Sequence, residues 1–182
     1  PPARVAELGD AIQRYLVEET RLGIPAILHE ESLHGVMARD AVCFPQAIGL
    51  SASWDPALAG RMAERIGRHL RTIGASQALA PVLDITRDPR WGRIMEGAGE
   101  DPWYGGQVGA ARVRGFQGDD LASTSTIAAC VKHFAGYGAA EGGRDYNTTE
   151  ITYRTLRNMY LPPFEAAVRA GSVTLMNGFN DL

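Results

Sequence analysis

Ile127-Ala128-Ala129-Cys130-Val131-Lys132-His133-Phe134 is an apolar run that ends on two basic side chains. It shows no in/out alternation, which is the pattern of a strand covered on both faces of a parallel sheet. Three other segments repeat the design. Residues 24–28 lead into His29-Glu30-Glu31, residues 78–85 carry Asp84 near their end, and residues 173–179 hold Asn177 and lead to Asn180 and Asp181. A weaker stretch at 44–53 is read as a further short strand.

Helical periodicities fill the gaps. Val5, Leu8, Ile12 and Leu16 recur at three- and four-residue steps and predict an amphipathic helix ending near Gly23. Asp55-Pro56 and Asp101-Pro102 each join an N-cap to a proline at the first helical position. The first opens a helix with Leu58, Met62, Ile66, Leu70 and Ile73 on one face, stopping at Gly74; the second runs to about Phe116. Residues 151–170 predict a helix interrupted at Pro162-Pro163 and closed by Gly171. Strands separated by whole helices make βαβ units, so the fold class is α/β with a parallel sheet. Polar groups gather at the C-terminal ends of the strands, where (β/α) barrels build active sites from loops. Two such loops, 86–100 and 135–149, are long and glycine-rich, as functional loops in compact domains often are.

A length of 182 residues is enough for one substantial core and does not require a second domain. The net charge of −3, with 18 basic residues scattered along the chain, argues against nucleic acid as a partner. No run approaches the ~18 apolar residues of a membrane span, so no membrane is expected. Pro1-Pro2-Ala3-Arg4-Val5 does not read as a leader, which leaves bacterial periplasmic, secreted and cytoplasmic placement open. Cys43 and Cys130 sit in apolar runs and are expected as buried free thiols. Met37, Met62 and Met159 read as packing residues and His69 as an ordinary helix histidine.

Several motifs fail on spacing. In His29-Glu30-Glu31-Ser32-Leu33-His34 the histidines stand about 140° apart around a helix, whereas the H-E-x-x-H zinc motif needs them on one face. No metal site is expected. Gly97-Ala98-Gly99 meets Pro102, and Gly136-Tyr137-Gly138 meets Glu141, where a dinucleotide fingerprint needs its third glycine. There is no Walker A sequence and no G-x-S-x-G elbow, and no cofactor is expected.

Asp84-Ile85-Thr86-Arg87-Asp88-Pro89-Arg90-Trp91-Gly92-Arg93 packs three arginines, two aspartates and a tryptophan directly after a strand. Carboxylates that hold guanidinium groups beside an aromatic wall make a cross-braced loop, suited to a neutral polyhydroxylated ligand. A purely structural salt-bridge knot is the competing reading. At this point the chain resembles glycoside hydrolase family 3. Leu22-Gly23-Ile24-Pro25 with Glu31-Ser32-Leu33-His34-Gly35, then Phe44-Pro45, the run 87–93, Gly99-Glu100-Asp101-Pro102, and Lys132-His133-Phe134 with its glycine-rich loop follow the family's order over essentially the whole chain.

The resemblance implies a partial (β/α)8 TIM-type barrel of about the first four or five βα units. Residues 1–182 would be the N-terminal part of that barrel domain, truncated before the nucleophile strand. It also implies substrate-binding roles: Glu31 accepting from distal sugar hydroxyls, Arg93, Lys132 and His133 binding hydroxyls, Arg144 with Asp145 as contact or brace, and Met176 and Phe179 as a wall. Phe179 stands where many members have tyrosine. Glu31 is one methylene longer than the aspartate common in glucosidase members, a length that would occupy the space of the sugar's exocyclic CH2OH and favour a pentose such as xylose. The loop from Tyr137 to Asn147 instead resembles bacterial β-glucosidase members.

The implied activity is hydrolysis of terminal non-reducing β-glucosyl or β-xylosyl residues with retention. One carboxylate attacks the anomeric carbon while a second acidic group protonates the leaving oxygen and then activates water. Both groups are expected beyond Leu182, so no catalytic residue is assigned within the chain. The expected partners are an oligosaccharide or glycoside substrate and the remaining C-terminal part of the same protein, which completes the barrel. Glu100-Asp101 reads as a helix cap. The competing readings are a non-catalytic carbohydrate-binding homologue, an inactive fragment, and a complete small α/β enzyme using Glu30 and Asp84.

Overall fold

The computed structural model describes residues 2–182. Helix α1 (Pro2–Glu19) is followed by strand β1 (His29–Glu30), the short helix α2 (Ala47–Ser51), α3 (Pro56–Thr72) and β2 (Gln77–Ala78). Then come α4 (Pro102–Gln117), β3 (Ala128–Phe134), α5 (Tyr153–Thr155), α6 (Pro162–Arg169) and β4 (Thr174–Asn177). The four strands form one parallel sheet in the order β1-β2-β3-β4. Sequential neighbours joined through helices are what consecutive βαβ units produce. This is the α/β, partial-barrel architecture read from the sequence.

Both capping signals act as their chemistry dictates. The Asp55 carboxylate accepts the Leu58 N–H at 2.9 Å and that of Asp101 accepts the Tyr104 N–H at 2.7 Å, each with proline at the first turn. Helix α3 buries Met62, Ile66 and Leu70 against the sheet layer, each side chain worth ~1.5–3 kcal/mol of apolar burial. Helices α3 and α4 meet backbone to backbone. A Cβ on Gly115 would stand 2.2 Å from the Gly60 carbonyl oxygen, so only glycine permits this crossing. Val113 and Phe116 of α4 join Ile127, Ala129 and Val131 in the same core.

Several local expectations give way to tertiary structure. The apolar run 24–28 is not itself a paired strand. Ile24 and Ile27 are exposed, and pairing begins only where the Ser76 and Gln77 N–H groups reach the Leu28 carbonyl. Instead, the Gln13 amide both donates to and accepts from the Ala26 backbone at 2.8 Å, doing for that segment what a neighbouring strand would do. Helix α1 buries only Gly9, and Val5, Leu8 and Ile12 stay exposed because nothing among the described residues covers that face.

The expected strand within 44–53 is helical at α2, where Ala47 and Leu50 turn inward on one helical turn after Pro45. In the run 78–85, regular strand pairing ends at Ala78, but backbone bonds continue from the Leu79 N–H to Glu30 and from the Cys130 and Lys132 N–H groups to the Ala80 and Pro81 carbonyls, with Pro81 itself unable to donate. The helix predicted over 151–170 starts at Tyr153 and passes through a π-helical turn at Leu156–Tyr160, where the Leu161 N–H reaches the Leu156 carbonyl, before α6 opens on Pro162. Cys130 is buried as expected, but Cys43 is exposed, lying in the loop that pairs with Gly35. Met37, expected to pack, is likewise exposed.

Candidate functional site

Strand β3 delivers Lys132 and His133, each 1% exposed, at its C-terminal end. Lys132 Nζ donates to both carboxylate oxygens of Glu31, at 2.6 and 2.9 Å. The Glu31 side chain is 61% exposed, so a buried ammonium looks out onto an accessible carboxylate. An ammonium has three N–H groups, and one remains after the two bonds to Glu31.

His133 forms the centre of a second network. Its Nδ1 lies 2.7 Å from Asp84 Oδ2, and its Nε2 lies 3.1 Å from a terminal nitrogen of Arg93. A guanidinium only donates, so Nε2 accepts and the ring proton sits on Nδ1, facing Asp84. Burial pushes the Asp84 carboxyl up from its ordinary range, and the ring N–H and backbone N–H of His133 oppose that. Arg93 also makes a two-pronged pair with Glu96 at 2.8 and 2.9 Å and lies 5.5 Å from the Tyr137 ring centre. Despite partial burial, which works against the charge, the Glu96 carboxylate holds the Arg93 guanidinium more firmly protonated than usual.

Aromatic residues back this network. Trp91 is buried and donates from Nε1 to Asp145 Oδ1 at 3.1 Å, and the Tyr137 hydroxyl donates to the same oxygen. Tyr137 stacks edge-on against both Trp91 and His133, at 5.1 and 5.2 Å between ring centres. Burial and the bond to Asp145 push the Tyr137 phenol up to about 12. Partial burial would raise the Asp145 carboxyl, but the two donors outweigh it and hold it below the usual range.

Glu31, Arg93, Lys132 and His133 therefore converge at the ends of β1, β2 and β3. Phe179, after β4, lies 5.7 Å from the His133 ring and 53% of it is exposed. Met176 sits half-buried on β4. Arg144 does not join the cluster. Its guanidinium folds back over the Gly142 backbone and has no ion pair among the described residues. The sequence reading missed Tyr137, the Asp84–His133 bond and Arg112. Arg112 is buried with no carboxylate beside it, burial pulls it down to about 10, and it donates at 2.5 Å to the Leu33 carbonyl, tying the Glu31 loop to α4. A carboxylate at the end of an apolar strand was the available signal for Asp84; nothing local marks Arg112.

Chemically, this set offers cationic donors beside an exposed carboxylate acceptor and an aromatic wall, which suits an uncharged hydroxyl-bearing ligand. Its four carboxylates, Glu31, Asp84, Glu96 and Asp145, are each committed to donors of the protein itself.

The family described as "Glycosyl hydrolase family 3 N terminal domain" matches residues 3–182. A putative beta-xylosidase of Formosa agariphila is 38% identical over 100% of this chain and 24% of its own length. A periplasmic beta-glucosidase of Salmonella typhimurium is 34% identical over 94% of this chain and 22% of its own. Among solved structures, a β-glucosidase of Erythrobacter marinus superposes with a TM-score of 0.93 at 38% identity, covering 99% of this chain and 24% of that one. A Listeria innocua β-glucosidase in complex with isofagomine gives 0.90 at 40% identity, covering 96% and 24%. The chain thus spans about a quarter of the length of these relatives. A matching family description over 3–182, on a parallel sheet that gathers Glu31, Arg93, Lys132 and His133 at its C-terminal end, places this chain in glycoside hydrolase family 3, in that family's N-terminal domain.

Proposed function

We propose that the protein is a retaining β-glycosidase that removes terminal non-reducing β-glucosyl or β-xylosyl residues, and that residues 1–182 supply the sugar-binding part of its barrel domain. The observation that carries this reading is the buried Lys132 ammonium facing the exposed Glu31 carboxylate beside His133 and Arg93. Glu31 accepts from the sugar's distal hydroxyls, Lys132 and the unused terminal nitrogen of Arg93 donate to their oxygens, and His133 holds Arg93 in place. Met176 and Phe179 wall the ring, and Arg144 serves from the loop after β3 as a brace rather than a direct contact. Charge-assisted bonds of this kind are roughly twice as strong as neutral ones, so ionised groups suit a neutral sugar. Binding energy collected at distal hydroxyls is available for distortion at the anomeric carbon.

The attacking carboxylate and the proton donor are assigned to residues outside this stretch, as the family resemblance implies. The names of the relatives, beta-xylosidase and beta-glucosidase, agree with both sugar classes. The test is turnover of p-nitrophenyl β-glucoside and β-xyloside by the full-length protein, with the first-formed anomer followed by NMR. Release of the β-anomer is expected; an inverted product, or no turnover of either glycoside, sinks the reading. Faster xyloside turnover accords with the length of Glu31, and a strong glucoside preference removes the pentose assignment.

A further inference from the structure

Between α2 and the loop that leads from β2 into α4 lies an open cleft of about 800 Å3, bordered by Ser51, Trp54, Arg87, Glu100, Tyr104 and Met159 among others. None of Glu31, Arg93, Lys132 or His133 lines it. A second cleft of about 530 Å3, running along residues 138–142, shares Arg87 and Glu100 with the first. The two meet at these side chains and together make one open trench.

Trp54 stands at the far end of this trench. It is 71% exposed, and its backbone has φ +57°, a region that bulky residues rarely enter. Strain of this kind survives where the surroundings hold it in place, and it collects at ligand sites. Here the surroundings are explicit. The Trp54 N–H donates to the Ser51 carbonyl at 3.0 Å, and the Tyr104 hydroxyl donates to the same oxygen at 2.8 Å. The buried Tyr104 ring then lies 4.5 Å from the indole and supports it from below. The result is an aromatic face fixed on a rigid base and left uncovered by the described residues.

Asp88 and Arg90 pair with each other and Asp101 caps α4, but three polar groups along the trench are unspent. Among the described residues, neither the Arg87 guanidinium nor the Glu100 carboxylate has a hydrogen-bond or ion-pair partner, and the buried Ser51 hydroxyl oxygen has none either. An indole face stacks against the C–H face of a pyranose, and a free donor next to a free acceptor matches hydroxyls, which both give and take. The clefts are lined by Asp88, Glu100, Asp101 and Glu141 against Arg87 and Arg90, an acidic excess that disfavours an anionic ligand. We propose that this trench is a second glycan-binding site, separate from the Lys132–Glu31 site, which takes a neutral β-linked oligosaccharide chain with one ring seated on Trp54. Only the class of ligand rests on the glycosidase reading; the geometry does not.

The test is affinity electrophoresis of the full-length protein through gels containing soluble neutral β-glucan or xylan, comparing the parent with Trp54→Gly. Glycine accepts φ +57° without strain, so the melting temperature should hold while the ring is lost. The expected result is at least a fivefold weaker retention, with unchanged kcat/KM on p-nitrophenyl β-glucoside and β-xyloside. Trp54→Phe keeps a ring and should retain most of the binding. Equal retention of parent and Trp54→Gly, or no retention of the parent in either gel, overturns the proposal. So does a matching loss of aryl glycoside kcat/KM, which would assign Trp54 to the main site. Should Trp54→Gly lower the melting temperature, Trp54→Phe decides, and loss of its retention with the fold intact also overturns the proposal. A protein that turns over no aryl glycoside yet shows Trp54-dependent retention defeats the glycosidase reading and leaves this site standing. Turnover with Trp54-independent retention does the reverse.

Discussion

The inner and outer strands present similar chemistry at their C-terminal ends but hold it differently. Lys132 and His133 on β3, and Asp84 in the segment after β2, are at most 3% exposed, and each reaches a partner across the sheet. On the flanks, the Glu31 side chain after β1 is 61% exposed and Phe179 after β4 is 53% exposed. An inner strand is fixed from both edges, so charges placed there are desolvated and must be paired. Within residues 2–182, a residue on β1 or β4 has one neighbouring strand and is less covered. The lesson is that the His133–Asp84 centre should be costly to alter and Glu31 and Phe179 cheap, which leaves these two to adjust what the site accepts.

That contrast can be broken most directly at Asp84. Asp84→Ala leaves the His133 Nδ1 proton buried without its acceptor and should cost up to ~3 kcal/mol in denaturant unfolding. A loss below ~1 kcal/mol would show that the central pair is not structurally required. Next in size, Trp91→Phe removes the indole donor from Asp145 while keeping a ring, for an expected ~1.5–3 kcal/mol. An unchanged unfolding midpoint would place Asp145 among the adaptable flanks.

Lys132→Met sharpens the comparison, because it separates binding from stability. It removes a desolvated cation and returns the exposed Glu31 to water, so stability should shift by ~1 kcal/mol or less. KM for aryl glycosides should nevertheless rise tenfold or more, as expected for a lost charge-assisted bond of ~1.5–3 kcal/mol. At the flank, Glu31→Asp should change stability by no more than ~0.5 kcal/mol. It should move the glucoside-to-xyloside rate ratio about tenfold toward glucoside, the scale of one methylene in a pocket. An unmoved ratio removes Glu31 from specificity.

The smallest effect is a titration. With its phenol raised to about 12, Tyr137 contributes stability that is intact below its ordinary pKa of 10 and is lost as pH rises through about 12. Ultraviolet difference titration reads this directly, and Asp145→Asn should bring the phenol back down. A Tyr137 that ionises at its ordinary value in the parent protein would dissolve the buried brace.

Much of the fold was legible because its signals are local. Asp55-Pro56 and Asp101-Pro102 start helices through contacts three residues away, and 127–134 is apolar enough to be a strand almost anywhere. The run 24–28 misled for the opposite reason. Its apolarity is real, but pairing depends on where β2 comes alongside, and that first happens at Leu28. Cys43 and the face of α1 misled in the same way, since an apolar residue is buried only if something arrives to cover it.

The sequence by itself determined the order of elements, the polar ends of the strands, the helix starts and the family motifs that name Glu31, Arg93, Lys132 and His133. The tertiary structure alone decided who holds whom. Lys132 finds Glu31 across 101 residues, and His133 finds Asp84 across 49. Separations of that size leave no periodic trace, because the contact exists only once distant strands have docked in register. The same docking decides which charges lose their water, and with it which part of the site is rigid and which is free to adapt.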